Sequence, residues 1–324
     1  MDQINKIVAE LKNAKFILVC VHESPDGDAV GSMLALGKAL KDMKKDVTMY
    51  CVDPVPIKHR FLSGWETVVS DSKILEGKTF DVFVMLDCGD RNRCGKYITN
   101  FNGYKKLINI DHHVSNPMFG DFNYVNSKAS CTGEEVYEVI KELLESKKLD
   151  KDIATALLTA LYDDTGGMRY ISTTAHTLRI AAELVESGAN CAHVSENLFF
   201  SVSREKMQLT SKVLSTLNFE LNGKIAYMIM KLSDLDVTKA KTEDSEGLID
   251  FPRSIEGVEV AFIVKEISKD KYKFSFRSRG KIDVNQFCSN YGGGGHKVAA
   301  GCTIQGDLAV ILDSLLKELQ KLLS

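Results

Sequence analysis

Four apolar runs in the N-terminal part of the chain, FILVCV (16–21), DVTMYCV (46–52), DVFVMLD (81–87) and KLINID (106–111), constrain what it can fold into more than any other feature. Each is as short as a strand and apolar on successive residues, as strands covered on both faces are. Helical patterns alternate with them, beginning with AVGSMLALGKALKDM after the first run. That alternation builds βαβ units, so a mostly parallel sheet is expected. Further helices are expected over 129–146, 152–162 and 174–187, the last stopping at Ser187-Gly188. In ASCTGEEVYEVIKELLES, Thr132 stands three residues before Glu135, the spacing of a capping box. The second half has another texture: KIAYMIM, VEVAFIVKEI and KYKFSFRSR read as strands, and LAVILDSLLKELQKLL as a closing amphipathic helix. Residues 190–216 look helical and polar on one face, which suits a connector, so the chain is expected to divide into 1–188, a helical linker 189–220, and 221–324.

Composition agrees with a two-domain globular chain. At 324 residues and 44% hydrophobic content it can bury more than one core. The formal charge of −3 argues against a basic nucleic-acid coat but leaves room for a local anion-binding patch. Eight cysteines (20, 51, 88, 94, 131, 191, 288 and 302) include no CxxC pair, which fits buried thiols in a reducing compartment rather than a disulfide framework or zinc knuckle. MDQINKIVAELKNAKF carries charge throughout without an apolar h-region, and no run of about 18 apolar residues occurs, so a cytoplasmic protein without membrane attachment is expected. The apolar stripe of the last helix fits either the core or a homodimer interface.

Charge is concentrated where the strands end. VHESPDGDAVGS (21–32) puts His22, Asp26 and Asp28 around a proline and a glycine just after the first strand. Asp87 ends the third run and Asp111-His112-His113 the fourth, while Asp163 and Asp164 follow a helical pattern. The carboxyl ends of parallel strands form the edge where open α/β sheets bind ligands, so these groups are expected to converge. Any one of them alone reads as a helix cap or a satisfied hydrogen bond, and Asp28, just before a helix, remains open as an N-cap. Gathered together, the carboxylates and imidazoles need a cation. An oxygen and nitrogen donor set without thiolate favours manganese, magnesium or iron over structural zinc. In the irregular turn set by Pro25 and Gly27, Asp26 and Asp28 can face neighbouring positions, as two adjacent metals require.

HESPDGDAVGS, the strand ending in LDCGD, DHH at 111–113 and DDTGG at 163–167 resemble the four successive motifs of the DHH phosphoesterase superfamily. YGGGGHKVAAG (291–301), preceded by FRSRGKIDVNQF, resembles the companion DHHA1 domain. The resemblance covers nearly the whole chain and implies an α/β fold with an N-terminal, mostly parallel-sheet DHH domain and a smaller α/β DHHA1 domain joined by a helical linker. It implies two Mn2+ ions, with Mg2+ or Co2+ as substitutes, one on His22, Asp26 and Asp87 and one on Asp28, Asp87, His112 and Asp164. Asp87 would bridge them, His113 would contact the scissile phosphate, and Asp111 would orient its neighbours. Ser24 departs from the asparagine common before the proline and leaves every ligand in place. The implied reaction is phosphoester hydrolysis by a hydroxide activated between the two metals.

For the second lobe the resemblance implies substrate binding by Arg277, Gly293, Gly294, Gly295 and His296. The residues themselves fit this: a glycine run permits positive φ and close N–H approach to an anion, though most such runs are turns. Strand alternation puts Lys273, Arg277 and Arg279 on one face and Tyr272, Phe274 and Phe276 on the other, and a solvated face explains Lys273 and Arg279 equally well. A metal lobe combined with a phosphate-gripping lobe selects short substrates. Short RNA or DNA oligonucleotides and 3′-phosphoadenosine 5′-phosphate (pAp) are the expected ones, as in the oligoribonuclease and pAp phosphatase branch of the superfamily. Alternatives are a phosphodiesterase acting on pApA, pGpG or cyclic dinucleotides, a RecJ-like single-strand exonuclease, a family II pyrophosphatase, and a non-catalytic nucleotide sensor. Met33, Leu34 and Leu40 read as core, and His59 and Trp65 as ordinary loop residues.

Overall fold

A computed structural model describes residues 2–145 and 148–323, so Ser146, the last residue of the helix expected over 129–146, lies outside the described residues. The chain forms two compact units, Met1–Ser201 and Val202–Ser324.

In the first unit the apolar runs become β1 (Phe16–Cys20), β2 (Asp46–Tyr50), β4 (Phe80–Leu86) and β5 (Tyr104–Asp111), joined by β3 (Val68–Val69) and β6 (Phe122–Val125). They pair in parallel in the order β3-β2-β1-β4-β5-β6. Alternate residues of each strand enter separate cores, which is why the runs are apolar throughout. Ile17, Val19, Val82, Val84, Leu86, Ile108 and Ile110 pack with helices on one face. Leu18, Cys20, Phe83, Met85 and Leu107 pack on the other with Ile98 and Phe101. The helices of this unit are α1 (Asp2–Asn13), α2 (Gly27–Asp42), α3 (Lys96–Asn100), α4 (Thr132–Leu143), α5 (Lys151–Thr165), α6 (Ala175–Glu186) and α7 (Cys191–Phe199). Sequence order reverses direction across the sheet between β1 and β4, the switch point where connections leave for opposite faces and open a crevice at the strand carboxyl ends.

Residues 190–216 are two helices rather than one. After α7, α8 (Arg204–Leu214) starts afresh with Ser203 as N-cap, its hydroxyl accepting from the Lys206 N–H at 3.0 Å. The second unit is built on β7 (Asn218–Glu220), β8 (Ile225–Met230), β9 (Val260–Ser268), β10 (Lys271–Ser278), β11 (Gly294–His296) and β12 (Ala299–Gln305). Their order is β11-β12-β10-β9-β8-β7, with β8 and β9 parallel and the other pairs antiparallel. Short helices α9 (Leu232–Thr238), α10 (Asp250–Ser254) and α11 (Val284–Ser289) precede the closing α12 (Leu308–Leu323). Leu315 and Leu319 of α12 are buried with Phe262, Phe274 and Phe276, so this part of its apolar stripe is core. Among the described residues no helix is long and apolar enough to cross a membrane.

Candidate metal centre

The ligand-bearing loops follow β1, β4 and β5 at their carboxyl ends, and α4 and α5 bring their own termini to the same place. His22 is buried, and the contact of its Nδ1 with the Glu23 carbonyl at 2.7 Å turns Nε2 toward the carboxylates. That nitrogen lies 3.3 Å from Asp87 Oδ2 and 3.8 Å from Asp26 Oδ1. Asp87 comes immediately after β4 with a φ of 56°, a left-handed conformation that aspartate tolerates better than most residues. Its backbone N–H still donates to the Ile110 carbonyl at 3.0 Å, so the turn stays tied to β5. The carboxylate is thereby presented edge-on to both sides: Oδ2 faces His22, while Oδ1 lies 3.7 Å from His112 Nε2 and 3.6 Å from His113 Nδ1. His112 Nε2 in turn stands 3.3 Å from Asp164 Oδ2 and 3.9 Å from Asp28 Oδ2.

Three sets of potential ligand atoms result, each mutually within 4.8 Å: His22, Asp26 and Asp87; Asp28, His112 and Asp164; and Asp87, His112 and His113. The structure thus gathers every residue expected to hold a metal, and Asp163 lies behind them. Asp163 accepts the Gly27 N–H at 2.5 Å, tying the start of α2 to the end of α5 rather than joining the sets.

Several neighbours escaped the sequence reading. The N-cap of α2 is Asp26, which accepts from the Ala29 N–H at 3.0 Å; Asp28 lies inside the helix and caps nothing there. Instead, buried Asp28 closes the start of α4, accepting from the N–H groups of Thr132 at 2.6 Å and Gly133 at 2.8 Å and from Ser32 Oγ at 3.1 Å. The capping box expected at Thr132 does not form, because Thr132 is already helical and Cys131 is the N-cap. Thr132 Oγ1 donates to Asp87 Oδ1 at 3.0 Å, so this threonine serves two of the clustered carboxylates. Asp111 is fully buried; it meets His113 Nδ1 at 2.7 Å and accepts from Asn116 Nδ2 at 2.6 Å. Asn116 also donates to Asn109 Oδ1 at 2.7 Å, anchoring the DHH turn to β5. His59, expected to be an ordinary loop residue, is wholly buried with neither ring nitrogen hydrogen-bonded among the described residues, its Nε2 4.0 Å from Asp163 Oδ2. Burial and the neighbouring Lys58 push its pKa down to about 3.

Electrostatics shows what the cluster lacks. Burial drives the Asp28 carboxyl well above its ordinary value, with Asp87, Asp164 and Asp26 adding to it. Burial together with Asp26, Asp87 and Asp163 lifts Asp164 to about 9. His22 goes the other way: burial alone lowers it, but Asp26 and Asp87 outweigh burial and raise it to about 10. Negative charge packed this closely needs positive charge, and hard divalent cations suit the oxygen and imidazole donors. The residues therefore fit divalent metal ions.

In the second unit, Arg277 projects from β10 into a groove of about 520 Å3 that Gly293 and Gly294 also line. Gly295 and His296 continue along β11, with Gly295 at a φ of 150° that only glycine adopts readily. Arg279, just past β10, donates to the carbonyls of Arg253 and Ile255, both at 3.3 Å, a structural use of its guanidinium.

The switch-point crevice of the first unit is lined with side chains that could hold divalent cations, and the second unit carries a glycine-edged sheet with a basic groove. The profile of the DHH family, N-terminal domain, matches residues 16–161 and that of the DHHA1 domain residues 222–324. The chain belongs to the DHH phosphoesterase family, hydrolases acting on phosphoester bonds. It is 34% identical over 306 residues to the bifunctional oligoribonuclease and PAP phosphatase NrnA of Thermus thermophilus, covering 93% of this chain and 88% of that one. Its identity to the Bacillus subtilis protein of the same name is 26% over 290 residues, 89% of each chain. An exopolyphosphatase-related protein from Bacteroides fragilis has the same fold, with a TM-score of 0.88 at 25% identity over 99% of this chain and 97% of its own.

Proposed function

We propose that this protein hydrolyses short oligoribonucleotides and pAp, using two divalent cations, Mn2+ foremost. The observation that carries this reading is the posture of Asp87, whose two oxygens face different histidines, Oδ2 toward His22 at 3.3 Å and Oδ1 toward His112 at 3.7 Å. One carboxylate shared between two sets of donors is what a paired cation site requires. His22 and Asp26 would complete one position, and Asp28, His112 and Asp164 the other. Cations bound there lower the pKa of water and stabilise charge developing on a phosphoryl group. His113 is a third exposed in its side chain and meets Asp111 at 2.7 Å; that contact raises its pKa, and the protonated ring, with Nδ1–H on Asp111, can donate from Nε2 to a phosphoryl oxygen. Asp111 and Asn116 fix the ring's orientation. Thr132 and the N-terminus of α4 hold Asp87 and Asp28 at fixed angles. In the second unit Arg277, with its planar fork, would hold a phosphate group, assisted by the N–H groups of Gly293–Gly295 and by His296. The substrate choice is supported by the names of the Thermus and Bacillus relatives.

The test is product analysis with pAp, a linear dinucleotide and a five-nucleotide RNA, each with Mn2+, Mg2+ or Co2+, for wild type and His112→Ala. Expected is turnover by wild type and a loss of at least about 100-fold in the variant, as when a group essential to the transition state is removed. Failure of wild type on all three substrates with every cation overturns the reading.

A further inference from the structure

His59 is a costly residue to bury. It closes the 3-10 turn Ile57–His59, is 0% exposed, and has neither ring nitrogen hydrogen-bonded among the described residues. A buried polar group without a partner costs stability, and a carbon ring of similar size would avoid that cost. The turn itself is well fixed. The His59 N–H donates to the Pro56 carbonyl at 2.9 Å, its carbonyl accepts from the Leu62 N–H at 3.1 Å, and Arg60 Nε donates to the Val55 carbonyl at 2.9 Å. Phe61 packs edge-on against His193 of α7, with ring centroids 5.3 Å apart. The backbone therefore holds the imidazole in place, and its own polar atoms do not.

What the ring faces is the joint between the two ligand-bearing helices. Its Nε2 lies 4.0 Å from Asp163 Oδ2, the oxygen that accepts the Gly27 N–H at 2.5 Å, while Lys58 Nζ stands 3.7 Å from Oδ1. Gly27 lies between Asp26 and Asp28, and Asp163 directly precedes Asp164. The interlock is tight, since a Cβ on Gly27 would come within 2.6 Å of Asp163 Cβ. A displacement of the Asp163 side chain thus moves the turn that carries two of the clustered carboxylates. Burial and Lys58 keep the imidazole uncharged at neutral pH, so it has one N–H to give and one lone pair. A hydrogen bond needs about 2.9 Å, so a movement of about 1 Å closes the gap to Asp163.

We propose that His59 is a positioning residue whose Nε2–H donates to Asp163 Oδ2 and so holds the Gly27 turn with Asp26 and Asp28 aimed at the cations. The inference rests on the paired-cation reading above and adds to it a residue that touches neither cation nor substrate. It also accounts for nitrogen standing where carbon would pack at less cost.

The test compares wild type, His59→Phe and His59→Gln by calorimetric titration of Mn2+ into metal-free protein and by urea unfolding of the same metal-free protein. Phenylalanine keeps a ring and loses the donor, whereas glutamine keeps a donor. His59→Phe is expected to bind Mn2+ about 10- to 100-fold more weakly, the loss typical when a residue supporting a metal ligand is removed. Its urea midpoint is expected to be unchanged or higher, because two unpartnered buried nitrogens have gone. His59→Gln is expected to recover most of the Mn2+ affinity. Affinity unchanged in His59→Phe, affinity lost only together with a lowered urea midpoint, or affinity not recovered in His59→Gln overturns the role of His59 and leaves the paired-cation reading standing. Wild type that takes up no Mn2+ overturns both, so the wild-type titration tells the two failures apart.

Discussion

Glu135 lies one helical turn from the groups that hold Asp28 and is 1% exposed, with Oε2 unpartnered among the described residues. Burial, aided by neighbouring Glu134, raises its pKa from 4.5 to about 9. The folded state therefore binds this proton more tightly than the unfolded chain does. Stability from this group is fully present below pH 4.5 and is lost as pH rises through about 9, at a rate of up to about 1.4 kcal/mol per pH unit. Glu135→Gln is expected to remove that slope, so that the variant gains on wild type as urea unfolding is repeated from pH 5 toward pH 9; parallel curves would refute the assignment. Such a residue is invisible to pattern reading, since a glutamate in a first turn looks like an ordinary helix-start residue. His22, Asp26, Asp28, Asp87 and the DHH triplet were legible for the opposite reason: charge crowded at the ends of apolar strands is costly to keep unless a cation balances it. The supporting shell was not. Thr132 donates to Asp28 across 104 positions and Asn116 acts through the DHH turn, and neither residue type in its local setting announces a distant partner. The burial of His59 was equally hidden, because short 3-10 turns carry no burial period.

At the scale of elements, the two helices that deliver Asp26, Asp28 and Asp164 must lie close together. Gly31 of α2 sits so near the Ala156 carbonyl of α5 that a Cβ would collide with it, and Ala160 packs at the same crossing. Gly31→Val is expected to cost about 2 kcal/mol through overpacking, read by urea unfolding, and to weaken Mn2+ affinity by separating the two ligand-bearing helices. Stability loss without any change in metal affinity would contradict the coupling. The strands themselves were readable because burial on both faces leaves an unbroken apolar run. The helical stretch over 190–216 was not readable as two pieces: residues 200–203 carry no proline or glycine, and the break shows only in Ser203 capping a new helix.

At the scale of the whole molecule, each unit carries its own core and its own kind of site, with metal donors in the first and the basic groove in the second. Divalent cations that bind the folded first unit and not the unfolded chain would each add about 2.7 kcal/mol to its stability at 100 times Kd. The claim that matters most is that this unit holds a cation pair bridged by Asp87. Calorimetric titration of Mn2+ into metal-free protein, for wild type and Asp87→Asn, tests it most directly. Two ions per chain for wild type, with both the second ion and pAp turnover lost in Asp87→Asn, is the predicted result. Wild type that binds no more than one ion, or Asp87→Asn that keeps two ions and full turnover, would contradict it.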